Sequence, residues 1–144
     1  MRQRGFTIVE LLIVIVVIGI LAAVSIVAYN GIQAKARAAK ANSDLLMLSK
    51  AIHAARVNQD RTLPQITGNN CSRCSGYTAT MSSIDAIGAA AGMNLAPLKA
   101  GDPWGGFYSI DENEGEGGNC TRDVLNVSPT QPDVNLVYIP TYAC

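Results

Sequence analysis

The chain has a single histidine and no net charge, and two long stretches lack either charge or proline. Each scarcity removes a class of function. A helix-face metal pair needs two histidines, so His53 alone reads as a surface or boundary residue. Eleven basic against eleven acidic residues leave no basic excess for a general nucleic-acid binder to present to phosphate. Neither a nucleophile–base pair nor a phosphate-cradling glycine loop stands out, so the residues point away from an enzyme.

What is present is unevenly placed. From Leu11 to Ala28 there are eighteen residues without a charge, and only Gly19 and Ser25 are not clearly apolar. As a helix this run spans ~27 Å, close to the thickness of a bilayer core. A cleaved secretory signal fits poorly. "MRQR" supplies a basic start, but the run is too long, Glu10 stands just inside it, and no A-x-A motif ends it. A plain membrane anchor explains Leu11 to Ala28 and leaves Glu10 unexplained. Ionisable groups in such a segment persist when paired and are functional by default.

A partner for Glu10 appears if the chain is cut between Gly5 and Phe6, because Phe6 then carries a new α-amino group. That amine lies little more than one helical turn from Glu10, in its own chain or in a staggered neighbour. The stretch "GFTIVELLIVIVVIGILAA" resembles the N-terminus of type IV pilins and type II secretion pseudopilins. In that family a short basic leader ends in glycine. A prepilin peptidase cuts before a Phe-like residue and methylates the new amine, and the fifth mature residue is glutamate. The resemblance assigns processing to Gly5 and Phe6 and assembly to Glu10. It implies a bacterial membrane location before assembly, an inner-membrane assembly platform, and then a homo-oligomeric filament outside the cell. Removing residues 1–5 takes away Arg2 and Arg4 and leaves a formal charge of −2. Counting Arg2 and Arg4 against Lys35, Arg37 and Lys40 does not itself place the N-terminus in the cytoplasm; the resemblance does. Many relatives carry a proline late in the apolar helix, where "AAVSIVAYN" has none, and Ser25 and Gly31 are the nearest weak points.

Residues 31–60 contain no proline and are rich in Ala, Leu, Lys and Arg. Leu45, Leu48, Ile52 and Ala55 follow the 3-4-3 spacing of an amphipathic helix, and Pro64 marks where it stops. The expected organisation is a leader at 1–5, an apolar membrane or filament-core helix at 6–28, its amphipathic continuation at 29–60, and a loop-rich globular part at 61–144. Lys35, Arg37 and Lys40 form a small cationic group. It reads first as a solvated helix face and second as a contact for lipid headgroups, neighbouring subunits or DNA.

Residues 65–101 read as loop-rich, with a short helix from Ser82 or Ser83 to Gly92. "DPWGG" is a turn that presents Trp104. Residues 106–110, 121–127 and 134–139 read as strands, which gives an α+β fold with an antiparallel sheet against the long helix. "DPWG" also resembles the major-pseudopilin branch, in which a loop near the C-terminus binds Ca²⁺. Asp111, Glu112, Glu114 and Glu116 supply oxygen ligands of that type, although their spacing matches no EF-hand and "NVSPTQPDV" does not reproduce the family loop.

The four cysteines, behind an export-type segment, favour disulfides in an oxidising compartment. Three connectivities are open. Cys71–Cys74 with Cys120–Cys144 is preferred and the crossed arrangement comes next. Closing residues 120 to 144 would contribute ~3 kcal/mol in the chain-entropy model. The C-x-x-C at Cys71 and Cys74 also admits a redox or zinc reading, but it sits in a polar turn and no second C-x-x-C exists. The sequons at Asn70, Asn119 and Asn126 read as accidental in a bacterial filament protein.

The leading function is therefore structural, a type IV pilus or pilus-like filament subunit. The alternatives are the major pseudopilin of a type II secretion system, a minor pilin binding DNA or a surface, and a membrane-tethered thiol oxidoreductase.

Overall fold

The structure is a computed structural model and describes residues 5–68, 76–114 and 121–142. Its first element, helix α1, runs from Ile8 to Gln59 without a break, as the absence of proline and the Ala/Leu-rich composition require. The chain divides into two compact units, residues 1–36 and residues 37–144. In the first unit every apolar side chain that is described is exposed.

In the second unit, α1 buries Ala38, Ala41, Leu45, Leu48, Ala51, Ile52 and Ala55, which is the 3-4-3 stripe expected from the sequence. The helix ends at Asp60, a non-glycine residue with φ 53°, whose N–H donates to the Arg56 carbonyl at 2.8 Å. The next segment is helical where a loop was expected. Helix α2, Leu63–Thr67, opens on a Thr62/Gln65 capping box with Pro64 in its first turn and ends at Gly68 in the left-handed region. Helix α3, Tyr77–Ala91, starts five residues before Ser82 and ends at Gly92 as expected. Ser83 is buried inside it rather than capping it, because Ala79, Thr80, Ser83, Ile84 and Ile87 form one inward face. Burial on that face outweighs the capping preference of serine. A 3₁₀ turn, Ala96–Ala100, leads to the sheet.

Strands β1 (Phe107–Asp111), β2 (Asp123–Ser128) and β3 (Val137–Ile139) form an antiparallel meander in the order β1-β2-β3. Tyr108, Ile110, Leu125, Val127 and Ile139 point into a core shared with α1, α3, Leu95 and Leu98. Ser109, Asp111, Val124, Asn126 and Tyr138 alternate onto the opposite face. The strands begin one to three residues later than the sequence suggested, and β3 is short because Val134 to Leu136 precede its pairing.

The "DPWGG" turn is fixed by Asp102, whose Oδ1 accepts the N–H of Trp104 at 2.8 Å and of Gly106 at 2.9 Å. Gly106 is required for a steric reason: a Cβ there would run into the Ser128 carbonyl of the neighbouring strand. Trp104 is half-buried and packs on the core.

Candidate N-terminal processing and assembly site

Two clusters of charge deserve a chemical account, one at the start of α1 and one near its end. At the start, Thr7 and Glu10 form a reciprocal cap. Glu10 Oε2 accepts the Thr7 N–H at 2.8 Å and the Thr7 hydroxyl at 2.7 Å, and the Glu10 N–H donates to Thr7 Oγ1 at 3.3 Å. This is a capping box: it occupies orphan donors of the first helical turn and places a carboxylate where the helix dipole favours one. Two donors on one oxygen also lower the cost of carrying an acid at the head of an apolar helix. Thr7 is the partner that the sequence reading overlooked. Its signal was the "T-x-x-E" spacing immediately before an apolar run.

Gly5 and Phe6 precede this box and are exposed, Phe6 at 88%. Phe6 is adjacent to Thr7, whose N–H already donates to Glu10. A cut before Phe6 would thus turn the neighbouring amide nitrogen into an ammonium beside a carboxylate held by Thr7. From Leu11 onward the helix is long and apolar enough to cross a membrane, with a mean hydropathy of 3.3 and none of that window buried. Its hydroxyl at Ser25 is satisfied internally, donating to the Leu21 carbonyl at 2.7 Å, as an apolar medium requires.

Near the end of α1, Arg56 is 1% exposed and binds two carboxylates. It lies 2.7 Å from Glu114 Oε2 and 2.5 Å from Asp123 Oδ2, and donates to the Pro140 carbonyl at 2.6 Å. Asp123 Oδ1 accepts the N–H groups of Asn113 and Glu114 at 2.7 and 2.9 Å, and Glu114 Oε1 accepts the N–H of Tyr142 at 2.5 Å. Burial pushes the Asp123 carboxyl up, while these N–H donors and Arg56 pull it down. One side chain thereby holds the end of α1 to β2, to the segment after β1 and to the C-terminal segment. Arg56 was readable as an oddity, since it falls four residues after Ile52 on the buried stripe.

A second buried pair lies on the same helix. The Tyr108 hydroxyl donates to Asp44 Oδ2, and Lys40 reaches Asp44 at 2.7 Å from the solvent side. Burial and the Asp44 carboxylate both push the Tyr108 hydroxyl pKa far up.

Of the residues proposed for Ca²⁺, Asp111 ends β1, Glu112 is buried, Glu114 is held by Arg56 and Tyr142, and Glu116 lies outside the described residues. Among the described residues no three His, Cys, Asp or Glu side chains are grouped to hold a metal ion. A Ca²⁺ ion taking Glu114 would have to displace Arg56. Cys71, Cys74, Cys120 and Cys144 all lie outside the described residues. Of the small cationic group, Lys40 is committed to Asp44, Lys35 and Arg37 are exposed, and His53 is exposed.

Comparison with known proteins bears on the first cluster most directly. The model of the prokaryotic N-terminal methylation motif matches residues 1–26. The type II secretion system core protein G of Escherichia coli (strain K12) is 29% identical over 140 residues, covering 89% of this chain and 83% of that protein. The core protein G of Pectobacterium carotovorum subsp. carotovorum is 38% identical over 60 residues, 42% of this chain and 38% of that protein. A fimbrial protein of Pseudomonas aeruginosa is 33% identical over 76 residues, 53% of this chain and 49% of that protein. The latter two matches thus span less than half of those relatives. No solved structure matches the chain. With an exposed apolar helix behind it and an α+β unit that follows, the chain carries the prokaryotic N-terminal methylation motif over residues that include Gly5, Phe6 and Glu10, and is similar to type II secretion core protein G and to fimbrial protein.

Proposed function

We propose that this protein is a structural subunit of a type IV pilus or pilus-like filament, cut after Gly5 and assembled through α1. The observation that carries the reading is the pairing of an exposed apolar helix with a single carboxylate, Glu10, at its head. Lipid accepts that surface before assembly, and the helices of neighbouring subunits accept it afterwards. The new amine of Phe6, in the same or an adjacent subunit, neutralises Glu10 as water is excluded. A prepilin peptidase and an inner-membrane assembly platform are the partners this route requires, and the assembled filament lies outside the cell. Intact mass measurement tests the first step. The mature protein should begin at Phe6 with a methylated amine, and assembled material that retains Met1 would refute the proposal.

A second reading, the major pseudopilin of a secretion system, is favoured by one observation. The match to a core protein G runs over 89% of this chain, against 53% for the fimbrial protein. Deleting the gene separates the two: loss of secreted proteins with pili intact selects the pseudopilin, and loss of surface pili selects the pilin. In both readings we infer a Cys120–Cys144 tie, supported by the anchoring of Glu114, Asp123 and Tyr142 around Arg56. Peptide mapping without reductant should recover that pair, and recovery of a crossed pair would replace it.

A further inference from the structure

The charges that follow the apolar half of α1 serve neither the cap at Glu10 nor the clasp around Arg56. Between Glu10 and Asp44 the sequence has no acid, and its charged side chains there are Lys35, Arg37 and Lys40. Lys40 is neutralised by Asp44 at 2.7 Å. Lys35 and Arg37 are exposed, and among the described residues neither has a carboxylate partner. Tyr29, 60% exposed, stands directly after the uncharged apolar run, and Ile32, also exposed, follows within one turn.

Helical geometry sets these groups around α1 rather than along one side of it. Successive residues turn by about 100°, so Arg37 lies roughly 160° from Lys35 around the axis. Tyr29 falls in the wider gap between them, about 120° from Lys35 and about 80° from Arg37. A partner lying alongside the helix, such as a DNA duplex or a flat protein face, would meet one cation and miss the other. A plane that the helix crosses meets both. At ~1.5 Å per residue, Lys35 stands ~10 Å and Arg37 ~14 Å beyond Ala28. Helical side chains lean toward the N-terminus, and long basic side chains reach back to a polar layer while their stems cover apolar surface. Both effects return the two cations toward the apolar end. An aromatic ring at that boundary suits the level where hydrocarbon gives way to headgroups. We propose that Tyr29, Lys35 and Arg37 form a collar around α1 that binds anionic phospholipid headgroups, in the leaflet opposite the leader. The collar rests on the lipid stage of the function proposed above.

The test reconstitutes the full-length protein in phosphatidylcholine vesicles carrying a trace of spin-labelled phosphatidylglycerol or spin-labelled phosphatidylcholine. Electron spin resonance then reads the fraction of each lipid immobilised against the protein. Wild type should immobilise phosphatidylglycerol in preference, and the preference should shrink as salt rises. Lys35→Gln combined with Arg37→Gln should reduce it by about threefold or more, and each single change by a smaller, similar factor. Lys50→Gln, which removes an exposed cation further along α1, should leave it unchanged. Arg2 and Arg4 are common to all these proteins, so the differences report the collar alone. Carbonate extraction separates two failures. Protein that washes out of the vesicles would overturn the lipid stage and the collar with it. Protein that stays, yet shows no phosphatidylglycerol preference or keeps it in the double variant, would overturn the collar alone. Loss of duplex DNA binding in the double variant with lipid preference unchanged would reassign the cations to nucleic acid.

Discussion

Residues 8–36 and residues 37–59 belong to one helix, yet they solve opposite problems. In the first stretch Ile13, Ile15 and Val17 stand exposed, while in the second Leu45, Leu48 and Ile52 are fully buried. The backbone geometry is shared and the difference lies in patterning. The first stretch is apolar all round, which suits an environment that is itself apolar, and the second confines its apolar side chains to one stripe. Charge follows the same division. At the head of α1 a carboxylate is satisfied locally by Thr7, three residues away, whereas near its end Arg56 is satisfied by groups 58 and 67 residues away. The first unit therefore needs other molecules to become stable in water, and the second carries its own partners.

The sharpest way to separate the two is at Glu10. Glu10→Ala should abolish filament assembly while the urea midpoint of the folded unit stays where it was. Quantitative microscopy of sheared filaments beside a denaturation curve reads both quantities, and wild-type filament yield would break the comparison. Arg56→Ala should do the reverse. It leaves Glu114 and Asp123 buried without their cation, at a cost of about 3–5 kcal/mol, while membrane association survives. Denaturation followed by tyrosine fluorescence, with membrane fractionation alongside, measures this.

Tyr108 gives a smaller effect with a definite sign in pH. Its folded pKa lies above the ordinary value of 10, so its stabilising contribution is complete below pH 10. It is lost as pH rises further, through the folded value. Tyr108→Phe should cost about 1–3 kcal/mol at neutral pH by leaving Asp44 short of a donor, and should flatten the alkaline limb of the stability curve. The smallest effect belongs to Thr7→Ala, which removes the cap at about 1 kcal/mol. Exchange of the first amides of α1 in detergent should accelerate, and assembly should slow without being lost.

Much of this was legible in the residues. The stripe at Leu45, Leu48, Ile52 and Ala55 marked the buried face of α1, and the stretch holding Gly5, Phe6 and Glu10 carried a resemblance that the N-terminal methylation motif over residues 1–26 matches. Two features were harder to see, for physical reasons. Helix α3 begins at Tyr77 because Ala79 and Thr80 are buried, and the capping preference of Ser82 and Ser83 gave no hint of that. The Arg56 cluster depends on contacts more than 50 residues apart in sequence, which no local pattern encodes. The acidic stretch after β1 read as a source of Ca²⁺ ligands. Glu112 and Glu114 are in fact buried, and the positive charge that holds Glu114 comes from the far end of a helix.

The clasp around the last residues has a practical side. Tyr142 is held twice, through its N–H to Glu114 and through its hydroxyl to Asp60 at 2.8 Å. A fusion placed directly after Tyr142 would pull on that clasp, and one placed ahead of Gly5 would be lost in the cut proposed above. A fluorophore or epitope intended to follow the mature protein is better carried at an exposed helical position such as Ser82, whose neighbours on α3 already supply the packing.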